Sequence, residues 1–320
     1  MRQRDNFHEV YSGFGLQRSH LLNESDGKIN PAKVPVPSNM IRIGPYSVYL
    51  LETGRFWLDG GAMFGVVPKT LWSQVKPSDE NNRIEMSMKV LLIFYEDRKI
   101  LADVGAGHKF PPKQQEIYGL DYQRFTLKQS LVEHHVRPED ITDVILTHCH
   151  FDHVGGATER AGEALQLTFP DATHYVQDSH WTWALSPSEK DRASFLKENL
   201  EPLKQSGRLK ILPGECELFP GLHLLLSNGH TVGLQMVKIQ DAVDTLFYCS
   251  DLMPTAAHVP LPYIMGYDLY PLTTLEEKRR YLGQACDENW LIVLEHDAEV
   301  DAIRIERGKK RLEIREKVAI

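Results

Sequence analysis

Thr147-His148-Cys149-His150-Phe151-Asp152-His153-Val154-Gly155-Gly156 sets three imidazoles and a carboxylate within a few residues, directly after the apolar run Asp143-Val144-Ile145-Leu146. The β-branched, apolar run predicts a short buried strand, and the glycine pair frees the backbone to turn. The polar cluster therefore sits on a strand-to-loop edge. In extended chain His148 and His150 project to one side, while Cys149 points away as a small buried side chain. The turn then carries Asp152 and His153 towards a second centre. Crowding these groups without a cation is costly, since protonated imidazoles repel and a buried carboxylate needs partners. The cluster reads as a metal site, and imidazole plus carboxylate without thiolate suits zinc, iron or manganese.

Composition narrows the function. The chain has 320 residues with 42% hydrophobic side chains, enough for a large core. Its 36 basic against 44 acidic residues give a net charge of −8, which argues against a nucleic-acid groove. Cys149, Cys216, Cys249 and Cys286 show no C-x-x-C spacing, as expected in a reducing compartment. There is no long apolar span and no hydrophobic leader in Met1-Arg2-Gln3-Arg4-Asp5-Asn6, so a cytoplasmic protein without membrane contact is expected. Nucleophile-elbow, phosphate-loop and dinucleotide motifs are missing, which sets aside serine hydrolases and nucleotide enzymes.

Further polar residues end apolar runs in order along the chain. His230 follows Leu222-His223-Leu224-Leu225-Leu226, Asp251 follows Thr245-Leu246-Phe247-Tyr248, and His296 follows Leu291-Ile292-Val293-Leu294. Upstream, Asp103 ends Lys99-Ile100-Leu101-Ala102. Together with H-x-H-x-D-H this set resembles the metallo-β-lactamase fold superfamily over roughly residues 40 to 300. The resemblance implies two divalent ions, with zinc expected and iron or manganese as alternatives. One would be held by His148, His150 and His230, the other by Asp152, His153 and His296, with Asp251 shared and Asp103 in support. A water or hydroxide between cations about 3.5 to 4 Å apart would be the nucleophile, with Asp152 and Asp251 as the catalytic carboxylates.

Residues 1 to 39 are polar and close on Pro31, Pro35 and Pro37, so they are expected to be an extension preceding a catalytic domain over 40 to 320. The first strands are expected at 40 to 45 and 47 to 51, with a hairpin of 89 to 95 and 100 to 102 about Glu96-Asp97-Arg98. Helices are expected at about 122 to 135, 190 to 206 and 274 to 287, the last capped by Thr274. The charged segment from Arg304 to Lys317 reads as a solvated terminal element. Strands in both halves with helices between them fit an α/β fold, the αββα sandwich.

Substrate class follows partly by exclusion. Asp251 separates the chain from true β-lactamases of this fold, and the short stretch after His296 is too small for the helical domain of glyoxalase II. Acyl-homoserine lactonases share His-Phe-Asp-His with a following Gly-Gly, but place a tyrosine where this chain has Pro254. Three loops are expected to wall the pocket: Phe56 to Pro68 with Met63 and Phe64, His180 to Trp183 with Trp181, and Met253 to Tyr267 with His258 and Tyr263. That apolar lining suits a small neutral lactone or carboxylic ester. Thioesters, phosphotriesters and β-lactams are alternatives, and a non-haem iron oxidoreductase such as a persulfide dioxygenase is the alternative of another class. A homodimer is compatible with the sequence.

Overall fold

Strand burial divides the chain into two sheets, because runs apolar on both faces can only be satisfied between layers. The computed structural model describes residues 39–320. The extension expected over residues 1 to 39 lies, but for Asn39, outside the described residues.

The first sheet is built from β1 (Ile41–Ile43), β2 (Tyr46–Asp59), β3 (Arg83–Tyr95), β4 (Arg98–Ala102) and β5 (Asp143–Ile145). A small separate hairpin, β6 (Thr158–Ala161) and β7 (Ala164–Leu167), precedes β8 (Thr173–Gln177) and β9 (Leu209–Leu212), which complete the sheet in the order β1-β2-β3-β4-β5-β8-β9. The second sheet runs in chain order: β10 (Cys216–Phe219), β11 (Leu222–Ser227), β12 (Leu234–Gln240), β13 (Thr245–Tyr248), β14 (Leu291–Val293), β15 (Ala302–Arg307) and β16 (Leu312–Val318). β4, β5, β8 and β9 pair in parallel, as do β13 and β14.

One core lies between the sheets, where Val48, Leu91 and Ile100 meet Leu224, Val237 and Val293. The outer face of the first sheet packs against α4 (Leu127–Glu133), α6 (Asp178–Leu185) and α7 (Lys197–Gln205), and that of the second against α8 (Pro271–Asp287). The layers are therefore an αββα sandwich. The remaining helices, α1 (Gly60–Phe64), α2 (Lys69–Trp72), α3 (Pro112–Tyr118) and α5 (Phe151–Val154), are short and lie in the connections.

Several boundaries differ from expectation. β2 continues through Phe56 to Asp59, so the first pocket loop is half strand, followed by α1 capped by the Asp59 carboxylate on Ala62 N. The segment His180 to Trp183 lies inside α6. The helix expected over 122 to 135 is confined to α4, whose cap is Thr126, and that over 190 to 206 to α7 with a short 3-10 turn before it. α8 begins at Pro271, whose fixed φ suits the first helical position; Thr274 lies within the first turn and donates its hydroxyl to Asp268 instead of capping. The charged tail is the last hairpin of the second sheet, with Ile303 and Ile305 buried against α8 and Ala302 in the core between the sheets; its Glu/Arg/Lys residues alternate with these and hid the pattern.

Candidate metal centre

Ligand-type side chains stand at the carboxyl ends of strands from both sheets, where open α/β sheets present their binding crevice. His148, His150, Asp152 and His153 follow β5, His230 follows β11, Asp251 follows β13 and His296 follows β14. Two groups form. In the first, His150 Nδ1 lies 3.0 Å from His148 Nε2 and 3.1 Å from His230 Nε2, with Asp251 Oδ2 3.1 Å from the latter. In the second, His153 Nε2 and His296 Nε2 are 3.2 Å apart, and Asp152 Oδ2 is 3.8 Å from each. Asp251 faces both groups, its Oδ1 3.0 Å from His296 Nε2 and its Oδ2 3.5 Å from His153 Nε2.

The donor set fits divalent cations. Imidazole nitrogens from separate strands converge on one another here, and His150 Nε2 and Asp251 Oδ1 are buried without a hydrogen-bond partner. Three nitrogens and a carboxylate at the first group, and two nitrogens with two carboxylates at the second, suit zinc, iron or manganese.

Titration shows the same crowding. Burial and the neighbouring imidazoles hold His148 and His150 well below the ordinary range. Burial opposes charge on His230 and His296 too, but Asp251, aided by Asp268 and Glu295 respectively, raises each to about 9. Glu295, Asp152 and Asp251 lift His153 well above its usual value against its burial. Those imidazoles hold the buried Asp251 far below the usual carboxylate range.

Outward-facing atoms are held in turn. Asp103 has a left-handed φ of 60° that aims its carboxylate at the Thr147 backbone N–H (2.7 Å), the Thr147 hydroxyl (2.6 Å) and His153 Nδ1 (3.0 Å). Such strain in a residue other than glycine persists where the surroundings over-determine it. His230 Nδ1 donates to Asp268 at 2.9 Å, and His296 Nδ1 to the Ser87 carbonyl at 2.8 Å. His180 accepts from Cys149 N–H and donates from Nδ1 to the Val232 carbonyl, both at 2.7 Å, tying the His148–His150 segment to the loop after His230. The glycine pair acts by close approach: a Cβ on Gly155 would overlap the Ala106 carbonyl, and one on Gly156 the Val104 carbonyl.

A cavity opens on both groups, and His150, Asp152, His230, Asp251 and His296 form its floor. Its apolar walls come from Phe56, Leu58, Met63, Met86, Phe151 and Met265, with the rings of Tyr118 and Tyr267 beside them. Tyr118 packs on Phe151 with ring centres 4.6 Å apart. Burial and the nearby Asp152 raise its phenol above the usual value. Lys190 and Asp191 line the mouth but are engaged, the lysine with the Gly266, Tyr267 and Asp268 carbonyls and the aspartate with Trp183 and Ser188.

Of the expected pocket residues, Met63 lines this cavity. Phe64 stacks between Trp72 and His258 and meets the edge of Tyr263, so these three pack behind the wall. His258 is spent on Met63 O (2.9 Å) and Thr255 Oγ1 (2.8 Å), and burial lowers it to about 3. Trp181 belongs to the core beneath α6. Behind the third loop the buried Lys278 ammonium donates to the carbonyls of His258 (2.6 Å), Tyr263 (2.8 Å) and Pro260 (3.0 Å). Sequence reading missed Asp268, Glu295, His180 and Tyr118. Only Glu295, a lone acid ending an apolar strand beside His296, carried a local signal.

Two sheets meeting over converging imidazoles and carboxylates define an αββα protein of the metal-binding type. The sequence profile of the metallo-beta-lactamase superfamily matches residues 89–296, and the chain belongs to that superfamily. It is 31% identical over 104 residues to an N-acyl homoserine lactonase of Bacillus cereus and 33% identical over 103 residues to one of a Bacillus sp. Each match takes in 32% of this chain and about a third of the relative's length (35% and 34%). Among solved structures, a probable metal-dependent hydrolase from Staphylococcus aureus is similar at 29% identity and a TM-score of 0.80, covering 87% of this chain and 98% of the other. A dizinc quorum-quenching lactonase with bound product shares the fold at a TM-score of 0.73 and 19% identity, over 88% and 98% of the two chains.

Proposed function

We propose that the chain is a dinuclear metal-dependent hydrolase that opens a lactone or cleaves a carboxylic ester of a small hydrophobic molecule. The observation that carries this reading is a cavity whose apolar walls end directly on both ligand groups. A neutral acyl chain gains from burial against the methionines and aromatic rings, whereas a polyanion would meet no free ammonium, because Lys190 is bound to three carbonyls. The similarity to lactonases and to a metal-dependent hydrolase supports the same class.

His148, His150 and His230 would hold one ion, Asp152, His153 and His296 the other, and Asp251 both. Bound there, two divalent cations supply Lewis acidity for the carbonyl and acidify a shared water. The residues contribute positioning: Asp103, Asp268 and Ser87 fix the outward imidazole atoms so that the inward nitrogens converge. Phe56, Met86 and Phe151 exclude water from the floor. The phenol of Tyr118 makes no hydrogen bond within the protein among the described residues and is free to donate to an ester oxygen at the floor.

Zinc-, manganese- and iron-loaded protein should be assayed against lactones, esters, thioesters, phosphotriesters and β-lactams. Highest kcat/KM on a lactone or ester, independent of oxygen, is expected. Inert zinc protein, with iron protein consuming oxygen in the presence of a persulfide, would replace the reading with oxidoreductase chemistry.

A further inference from the structure

The two ligand groups differ in what stands behind them. Behind the first, His148 Nδ1 meets the Thr147 hydroxyl at 3.1 Å and His230 Nδ1 meets one carboxylate, Asp268. Behind the second, His153 Nδ1 lies between two carboxylates, Asp103 Oδ2 at 3.0 Å and Glu295 Oε1 at 3.1 Å. Asp103 is already satisfied by Thr147 through both oxygens. Glu295 is fully buried, and neither of its oxygens has a well-aligned hydrogen-bond partner. A carboxylate at this depth needs a partner, and the His153 ring is the group it faces. The neighbouring Tyr248 hydroxyl donates to the Lys89 carbonyl at 2.9 Å.

We propose that Glu295 is a positioning residue for the second centre: its charge, relayed through the shared His153 N–H, raises that centre's affinity for a divalent cation above what Asp152, His153, His296 and Asp251 provide. An ion on His153 Nε2 makes the opposite N–H a stronger donor, and two carboxylates behind one imidazole make the ring a stronger ligand. This inference rests on the two-centre reading above but not on the identity of the substrate.

The test is stepwise removal of metal from zinc-loaded full-length protein by a graded chelator series, read by elemental analysis and by thermal unfolding of loaded and metal-free forms. Glu295→Gln keeps the shape and removes the charge. It should weaken one of two release steps about 10- to 100-fold, the range for lost outer-shell partners, and leave the other within threefold. Asp268→Asn should weaken the other step. The gain in Tm on loading should shrink in Glu295→Gln. Unmoved release steps in Glu295→Gln, or both variants acting on the same step, would each overturn the proposal. A parent that binds one ion or none would overturn the two-centre reading as well, and is told apart by its stoichiometry before any variant is made.

Discussion

The floor and the walls of the cavity are made in opposite ways. The floor is built where strands end: seven ligand-type residues, each in the connection that follows a strand, with outward atoms held by Asp103, Asp268 and Ser87. The walls are assembled from the end of β2, from β3, from α1, α3 and α5, and from the loop after Asp251, joined mainly through packing. Precision in the floor follows from rigid neighbours, and adaptability in the walls follows from three unbranched methionines among the rings. Replacing a floor residue should abolish chemistry, and replacing a wall residue should re-tune it.

The largest effect should come from the floor itself. His150→Ala or Asp251→Ala is expected to lower kcat/KM by about 10³-fold or more, the scale for removing one member of a cooperating unit, and to lower metal content in the same preparation. Near-parental turnover in either would erase the distinction between floor and walls. Next, Gly156→Ala places a methyl against the Val104 carbonyl and should cost about 3 kcal/mol, the upper range for overpacking, measured by denaturant unfolding of loaded protein.

A third effect follows from proton linkage. In the metal-free protein His230 and His296 are raised to about 9, so their contribution to stability is complete below their unfolded value near 6.5 and is lost as pH rises through 9. Metal needs these rings neutral. Apparent metal affinity should therefore climb between pH 6.5 and 9 with release of protons, which calorimetry in two buffers of different ionisation enthalpy will measure. Affinity independent of pH over that window would contradict the assigned partners.

On the walls, Tyr118→Phe should lower kcat/KM about tenfold, the worth of one hydrogen bond at roughly 1.4 kcal/mol, with metal content unchanged. The smallest functional effect belongs to Trp181→Phe. It should destabilise by about 1 to 3 kcal/mol through a core cavity yet leave KM on any active substrate within twofold, since Trp181 is outside the cavity. A changed KM would move the wall to where the sequence alone put it.

That contrast also explains what was legible. The alternation of strand and polar terminus that makes the sheets also places the ligand-type residues, so the cluster of His148, His150, Asp152 and His153 could be read from its spacing, and its meeting with His230, Asp251 and His296 from the family resemblance that the ordered strand ends carry. The walls were not legible because aromatic loops look alike whether they face solvent, core or cavity: Met63 and Phe64 are neighbours in sequence, yet one lines the cavity and the other is stacked behind it. Asp268 was hidden because its partner lies 38 residues away, with nothing local to mark it. Gly155 and Gly156 looked like turn-formers, but they are needed because another stretch of backbone passes within contact.

Lys278 gives the third wall loop an unusual freedom. Its ammonium grips main-chain oxygens of His258, Pro260 and Tyr263, and every residue type carries such an oxygen. The path of that loop is therefore held from α8, in a layer remote from the chemistry, as well as by the His258 and Tyr263 side chains packed on Phe64. Met265 and Tyr267, which the same loop carries to the cavity just beyond that grip, are free to be exchanged one at a time for new molecular tastes while the bend before them stays anchored.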